Sequence, residues 1–293
     1  MPHQFDAETA AAAAHLAELS LREDLLDVGD LTSQATIPEH LSAAVRIVVR
    51  QPGVIAGLGV LPLVFRLLPG HVRCEVFLQD GDAVSAGSVA AEIHGPVRTL
   101  LTGERTVLNF LTHLSGIATR TAEFVRAVRG TSAQILDTRK TLPGYRLLQK
   151  YAVRCGGGFN HRIGLHDGML IKDNHLAARG SSSCAGAVKA ARDFLRERRL
   201  AVPVEIEVDT LEQLQDALSE HPELVLLDNM SCEQLREAVA LRNQLAPGTR
   251  LEASGGVTLQ TVHGIAETGV DRISVGSLTH SSPALDIAFD WPW

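Results

Sequence analysis

From residue 133 to residue 276 the chain alternates short apolar runs with amphipathic stretches, and few folds can absorb that rhythm. AQILDT (133–138), GMLIK (168–172), VPVEIEV (202–208), ELVLLD (223–228), RLEAS (250–254) and DRISVG (271–276) are runs of strand length. Helical patterns lie between them at 181–199, 210–219, 231–245 and 258–268. Strands separated by helices line up in parallel, either as a barrel or as a doubly wound sheet. No GxGxxG follows the first run, and polar residues end many of the runs rather than collecting at one switch point. That favours the barrel.

The region before this repeat reads differently. Residues 7–26 have the period of an amphipathic helix with Leu16, Leu19 and Leu26 among its apolar positions, and DVGDLT (27–32) is turn-like. AAVRIVVRQPGVIAG and HVRCEVFLQDGDAVSAGSVAAEIHGPVRTLL alternate and carry Gly/Asp turns, so a small β-rich region is expected. DGDAVSAGSVAAEIHG resembles the hairpin of biotinyl and lipoyl carrier domains. Such carriers need a lysine at the hairpin tip, and no lysine precedes Lys140, so a scaffold is the better reading. GERTVLNFLTHLSGIATRTAEFVRAVRG, from Gly103, is a long helical pattern that breaks near Ser115–Gly116. The expected organisation is a first domain over 1–116, a barrel over 117–280 and a tail, 281–293, that packs back on the first domain.

Bulk properties exclude several classes. A net charge of −7 argues against a general nucleic-acid or anionic-membrane surface. The longest uncharged apolar run, Val54 to Phe65, is too short for a bilayer and contains Gly57, Gly59 and Pro62. The N-terminus is acidic and does not read as a signal peptide. Cys74, Cys155, Cys184 and Cys232 are far apart and show no zinc spacing, which fits free thiols in a reducing cytoplasm.

Against this acidic background one stretch is basic. Between Arg139 and Lys172 lie Arg139, Lys140, Arg146, Lys150, Arg154, Arg162 and Lys172, with Asp167 the only acid. His161, His166 and His175 accompany them, and Gly156 to Gly158 interrupt the run. Several of these cations sit at the ends of apolar runs, in ILDTRK and MLIKDNH, where a merely solubilising charge would more often fall mid-helix. The pattern points to a pocket for an anion with several charges.

In a βα barrel the chemistry collects where strands run into the following loops. Those ends carry Asp137, Thr138, Arg139 and Lys140, then Lys172 and Asp173, Glu207, Asp228, Ser254-Gly255-Gly256 and Val275-Gly276-Ser277. Val204, Ile206 and Val208 occupy one face of their strand; Glu205 and Glu207 share the other, which points inward in a barrel. Glu207, nearer the carboxyl end, is selected over Glu205. With Asp228 it offers the two carboxylates that Mg²⁺ takes alongside waters and substrate phosphates. The SGG turn precedes an expected helix start, so its N–H groups and the helix end suit a phosphate, and VGS repeats the device one strand later.

The runs DTRKTLPGYRLLQKYAVRCGGGFNHRIGL, LIKDNH, VEIEVDTLEQL, LLDN, EASGG and DRISVGSLTHS resemble the quinolinate phosphoribosyltransferase (nicotinate-nucleotide pyrophosphorylase) family. GDLTS (29–33) and GERTVLNFLTHLSGIAT (103–119) extend the resemblance over nearly the whole chain. It implies an α/β fold made of an N-terminal α/β sandwich domain and an open α/β barrel. It also implies a homodimer at least, and conversion of quinolinate and phosphoribosyl pyrophosphate to nicotinate mononucleotide, pyrophosphate and CO₂ with Mg²⁺ and no organic cofactor. Carried over, Arg139, Arg162 and Lys172 would bind the carboxylates of quinolinate with His161 beside them, and Arg105 would reach in from the partner subunit. Lys140, Glu207 and Asp228 would serve phosphoribosyl pyrophosphate and its metal. Ser254, Gly255, Gly256, Gly276 and His280 would cradle phosphate. Two other enzymes stay open at this point: a related phosphoribosyltransferase of molybdenum operons acting on another anionic ring, and a Schiff-base aldolase with Lys172 as nucleophile.

Overall fold

The computed structural model describes residues 4–293. In chain order the elements are α1 (Ala7–Leu25), α2 (Leu31–Thr36), β1 (Ser42–Val49), β2 (Gly53–Val54), α3 (Leu61–Arg66), β3 (Arg73–Val76), β4 (Ala83–Val84), β5 (Val89–Pro96) and α4 (Val97–Ala127). There follow β6 (Gln134–Leu136), α5 (Arg146–Cys155), β7 (Met169–Ile171), α6 (Asp173–Arg179), α7 (Cys184–Arg198), β8 (Val204–Val208), α8 (Leu211–Leu218), β9 (Leu224–Asp228) and α9 (Cys232–Leu245). The chain ends with β10 (Arg250–Ser254), α10 (Val262–Ala266), β11 (Arg272–Ser274), α11 (Ser277–His280) and β12 (Ile287–Asp290). Two compact units result. The first takes in the chain up to Ala122, Lys140–Gly158 and Ser277–Trp293; the second takes in Glu123–Arg139 and Phe159–Gly276.

In the first unit an antiparallel sheet runs in the order β12-β1-β5-β3. Alternation decides which residues it buries: Val45 and Ile47 pair with Ile93 and Ala91, and all four are fully enclosed. The tail returns as β12, with Phe289 and Ile287 set against Ile47 and Val49. Asp6 caps α1 through the Thr9 N–H at 2.8 Å, and Ala13, Ala17 and Leu21 form the buried stripe at helical spacing.

The break expected near Ser115–Gly116 is absent: α4 runs unbroken for 31 residues. Both residues serve close packing instead. The Ser115 hydroxyl accepts the Ala56 N–H at 3.0 Å, and a Cβ on Gly116 would lie 2.1 Å from the Pro283 carbonyl oxygen. Glycine is there to let backbone approach backbone, and a helix tolerates it when tertiary contacts compensate.

The second unit is built on a parallel sheet in the order β6-β11-β10-β9-β8-β7. The edge strands β6 and β7 do not pair with each other, so the barrel is open; Phe159 bridges Leu136 on the outer side of β6. The register levels Glu207 with Leu226, Leu226 with Glu252, and Glu252 with Arg272. Level residues in a parallel sheet share a face, and residues two apart on one strand share it too. Glu205, Glu207, Asp228, Glu252, Ser254, Arg272 and Ser274 therefore lie on one face. Val204, Ile206, Val208, Val225, Leu227, Leu251, Ala253 and Ile273 occupy the opposite face and are buried. An apolar outer face and a charged inner one separate the packing core from the chemistry.

Candidate active site

The loop from Asn160 to Gly168 is held by two acids. Asp137, fully buried after β6, accepts the His161 N–H at 2.9 Å and the Asn160 side-chain amide at 2.6 Å. Asp167 accepts the N–H groups of Ile163 and Gly164 at 2.7 and 2.8 Å. Burial alone would raise the Asp167 carboxyl, but these backbone bonds outweigh it and lower its pKa. The loop is thereby fixed with the Arg162 and His161 side chains in defined places.

Arg139 and Arg162 are close enough to oppose each other. The pKa of Arg162 is lowered first by burial and next by the charge of Arg139. Arg162 donates one guanidinium N–H to the Gly168 carbonyl at 3.0 Å. The Nε atoms of both arginines are buried without a hydrogen-bond partner. Two neighbouring cations with unsatisfied buried donors make a receptor for an anion, because only an incoming acceptor relieves both the repulsion and the missing bonds.

Beneath them lies a buried charge cluster. His161 Nε2 stands 2.9 Å from Glu205 Oε2 and 3.4 Å from Glu252 Oε1, and Arg272 Nε stands 2.8 Å from Glu252 Oε2. Burial opposes a charged His161, but the hydrogen bond to Glu205 and the two carboxylate charges raise its pKa on balance. Burial and the neighbouring Glu205 push the Glu252 carboxyl up to about 7, although His161, Arg272 and the Ser274 hydroxyl pull it back. Among the described residues this is the one group of three or more His, Cys, Asp or Glu side chains whose ligand atoms lie within 4.8 Å of one another. A cavity of about 280 Å³ opens beside it, lined in part by Asn160, His161, Arg162, Asp167, Glu205 and Arg272.

At the carboxyl ends of β7 and β8 the Lys172 ammonium forms an ion pair with Glu207. Lys172 also opens α6: its N–H donates to His175 Nδ1 at 3.0 Å. Asp228 ends β9, level with Ser254 on β10, and accepts the Asn229 side-chain amide at 2.7 Å.

The SGG turn is a tight left-handed corner. Gly255 and Gly256 have φ of 92° and 59°, and a Cβ on Gly255 would fall 2.1 Å from Asn229 Oδ1. The helix expected to begin right after it begins only at Val262, because the Thr258 and Thr261 hydroxyls bond the local backbone and hold a turn. The helix-dipole argument for an anion at 254–256 therefore falls away, and the glycine backbone remains. At the second such turn, Val275 is buried and its N–H already donates to the Leu136 carbonyl at 2.9 Å. Gly276 follows it, half-buried, and Thr138 is half-buried after β6.

The remaining sequence-selected residues belong to the first unit. Arg105 is exposed on α4, Lys140 is exposed directly after Arg139 in the chain, and Ser277 and His280 bound the four-residue α11. The Lys140 carbonyl accepts the Thr279 hydroxyl at 2.8 Å, and His280 Nδ1 lies 2.6 Å from the Ser281 hydroxyl. The residues that sequence reasoning passed over are Glu205, Glu252 and Arg272. Alternation carried the signal for Glu252: once Ser254 faces inward, so does Glu252, and a buried glutamate needs a cation beside it, which the register supplies as Arg272.

Comparison with known proteins identifies the family. The profile described as "Quinolinate phosphoribosyl transferase, C-terminal domain" matches residues 117–290, and that of the N-terminal domain of the same family matches residues 30–115. The chain is 48% identical over 281 residues to the nicotinate-nucleotide pyrophosphorylase [carboxylating] of Mycobacterium leprae, covering 95% of this chain and 97% of that one. It is 39% identical to a quinolinate phosphoribosyltransferase [decarboxylating] of Nicotiana tabacum, over 92% of this chain and 80% of that one. The solved nicotinate-nucleotide pyrophosphorylase of Francisella tularensis superposes with a TM-score of 0.88 at 37% identity, covering 96% of both chains. Two profiles spanning both halves, and relatives this similar over nearly their full length, place the chain in the quinolinate phosphoribosyltransferase family.

Proposed function

We propose that the chain transfers the phosphoribosyl group of phosphoribosyl pyrophosphate to quinolinate with decarboxylation, giving nicotinate mononucleotide, pyrophosphate and CO₂ for NAD biosynthesis. The observation that carries this reading is the Arg139–Arg162 pair, two mutually repelling guanidinium groups whose buried Nε donors have no partner. Quinolinate presents two adjacent carboxylates on a flat ring, and two planar forks match that shape better than point charges do. His161 stands beside them, and Lys172 adds a third cation once it exchanges Glu207 for a substrate oxygen.

The chemistry follows from charge. The lone pair of the ring nitrogen forms the new bond to the anomeric carbon while the bond to pyrophosphate breaks and its electron pair leaves with the pyrophosphate. Positive charge builds on the ribose in between, as in glycoside cleavage. Glu207 and Asp228, on the inner face at neighbouring strand ends, would stabilise it. The nitrogen, now quaternised, accepts electron density from the adjacent carbon as the bond to the 2-carboxylate breaks; CO₂ leaves and that carbon takes a proton. The turn at Ser254, Gly255 and Gly256, with Gly276, Ser277 and His280, would serve the phosphates, and Lys140 the departing pyrophosphate.

The donor set at Glu207 and Asp228 fits Mg²⁺: the two hard carboxylates would hold it together with water and phosphate oxygens. Asp228 forms no ion pair among the described residues, which leaves it open to a cation. When bound, Mg²⁺ would supply charge neutralisation at the pyrophosphate. The site is read as shared within a homodimer, with the exposed Arg105 donated by the partner subunit. A cytoplasmic setting is supported by four free cysteines, and no helix among the described residues is long and apolar enough to cross a membrane.

A Schiff-base aldolase needs a neutral lysine, whereas Lys172 pairs with a carboxylate. The test is incubation with quinolinate, phosphoribosyl pyrophosphate and Mg²⁺, with nicotinate as the control acceptor. Nicotinate mononucleotide and CO₂ from quinolinate alone are expected. Transfer to nicotinate at an equal rate would reject the diacid pocket.

A further inference from the structure

We propose that Glu252 is a positioning residue for the anion site: braced by Arg272, it fixes the ring of His161, which in turn fixes Arg162. The proposal rests on the functional reading above for the identity of the anion. It deepens that reading by assigning a role to a carboxylate that touches none of the substrate-binding residues except His161.

The chain of contacts is short and wholly within the second unit. Glu252 is fully buried on β10, and its two oxygens are used in different directions: Oε2 meets Arg272 at 2.8 Å and Oε1 meets His161 Nε2 at 3.4 Å. Glu205 approaches the same ring nitrogen at 2.9 Å. On the other side of the ring, His161 Nδ1 accepts the backbone N–H of Arg162 at 2.9 Å. The Arg162 N–H aimed at Nδ1 opposes a second proton there, so the proton that the two carboxylates favour is held on Nε2, between them. That arrangement selects one tautomer and one ring orientation. A flipped ring would set a carbon against the Arg162 N–H and take the imidazole donor away from both carboxylates, leaving Glu252 to Arg272.

A purely structural ion pair would need only Glu252 and Arg272. The second acid, Glu205, makes sense as a counter-charge: it acts on Arg162, opposing the effect of Arg139. Two carboxylates thus stand under three guanidinium groups, those of Arg139, Arg162 and Arg272. The cations nearest the pocket are held together before any substrate arrives.

The same three donor atoms lie within reach of a common ion, but a metal is the weaker reading. Nε2 could ligate only by losing its proton. Moving that proton to Nδ1 would aim it at the Arg162 N–H, and Arg272 already occupies the far oxygen of Glu252.

At pH 8, above its raised pKa of about 7, Glu252 is charged, and there Glu252→Gln tests the proposal, since it keeps the shape and removes the charge. In the folded variant, ring ¹⁵N shifts of His161 should move from the pattern of a single Nε2–H tautomer to a mixture. The KM for quinolinate should rise about tenfold, as expected when Arg162 is no longer held for one charge-assisted contact to the substrate, while the KM for phosphoribosyl pyrophosphate changes by less than about twofold. Unchanged ring shifts overturn the proposal, and so does a changed ring with an unchanged KM for quinolinate. If Glu252→Gln does not fold, the double variant Glu252→Gln/Arg272→Met, which removes both buried charges together, is read by the same two measurements and the same criteria. Failure of the wild-type protein to use quinolinate would sink the functional reading; the ring shifts of wild type and variant still decide whether Glu252 fixes His161.

Discussion

Lys172 and Glu207 join the carboxyl ends of two neighbouring strands, β7 and β8, through an ion pair that links the proposed diacid site to the proposed metal site. Lys172 keeps 43% of its side chain exposed, so the pair stands in the regime where solvent screening leaves about 0–1 kcal/mol of stability. Its worth is in function. Lys172→Met should therefore barely move the melting temperature of the free protein, yet raise the KM for quinolinate by about tenfold or more. Parallel thermal scans and steady-state kinetics check this. A large loss of stability with unchanged KM would make Lys172 a structural residue.

The mutual repulsion of Arg139 and Arg162 gives a second prediction of unusual sign. Removing one of two opposed, partly buried cations relieves the free protein, so Arg139→Met should leave its melting temperature unchanged or higher. Saturating quinolinate should raise the melting temperature of the wild type, because a ligand selective for the native state stabilises it, and a hundredfold excess over Kd is worth about 2.7 kcal/mol. The variant should lose that response. An undiminished shift in Arg139→Met would remove Arg139 from the site.

These two predictions use residues that the sequence made visible, and the reason is local. Arg139, Lys172, Glu207 and Asp228 each end an apolar run, and the end of a run is readable without knowing what lies across the barrel. Glu205 and Glu252 were legible as to face but not as to partner. Their meaning comes from His161 and Arg272, which reach them through register and loop path rather than spacing. The unbroken α4 was hidden for the same reason: Gly116 looks like a helix breaker until the Pro283 carbonyl is seen against it. The late start of α10 was hidden by two threonine side chains competing with the helix for backbone groups.

A third prediction concerns pH. The Glu252 carboxyl is raised from 4.5 to about 7, by burial first and by Glu205 next. A group whose folded pKa exceeds its unfolded value contributes stability that is fully present below the unfolded value and is lost as pH rises through the folded one. The window thus runs from about pH 4.5 to just above 7. The stability of the wild type relative to Glu252→Gln should be greater at pH 5 than at pH 8, measured by urea unfolding at each pH. A difference that is flat or reversed would mean that Glu252 is ionised throughout and fully compensated by Arg272.

The last prediction separates one subunit from two. Arg105 lies exposed on α4, and Lys140 is exposed in the chain directly after Arg139. If each site takes Arg105 from the neighbouring copy and Lys140 from its own, a homodimer of either single variant has two defective sites. A mixed dimer of Arg105→Ala and Lys140→Ala chains then has one site carrying both lesions and one site carrying neither. Mixing two inactive proteins under conditions that exchange subunits should restore up to half of wild-type activity per heterodimer. If Arg105 serves its own chain, every site in the mixed dimer keeps one lesion and no activity returns. Activity assayed on heterodimers isolated through two different affinity tags distinguishes the cases, and inactive heterodimers would assign Arg105 to a site within its own chain or to none.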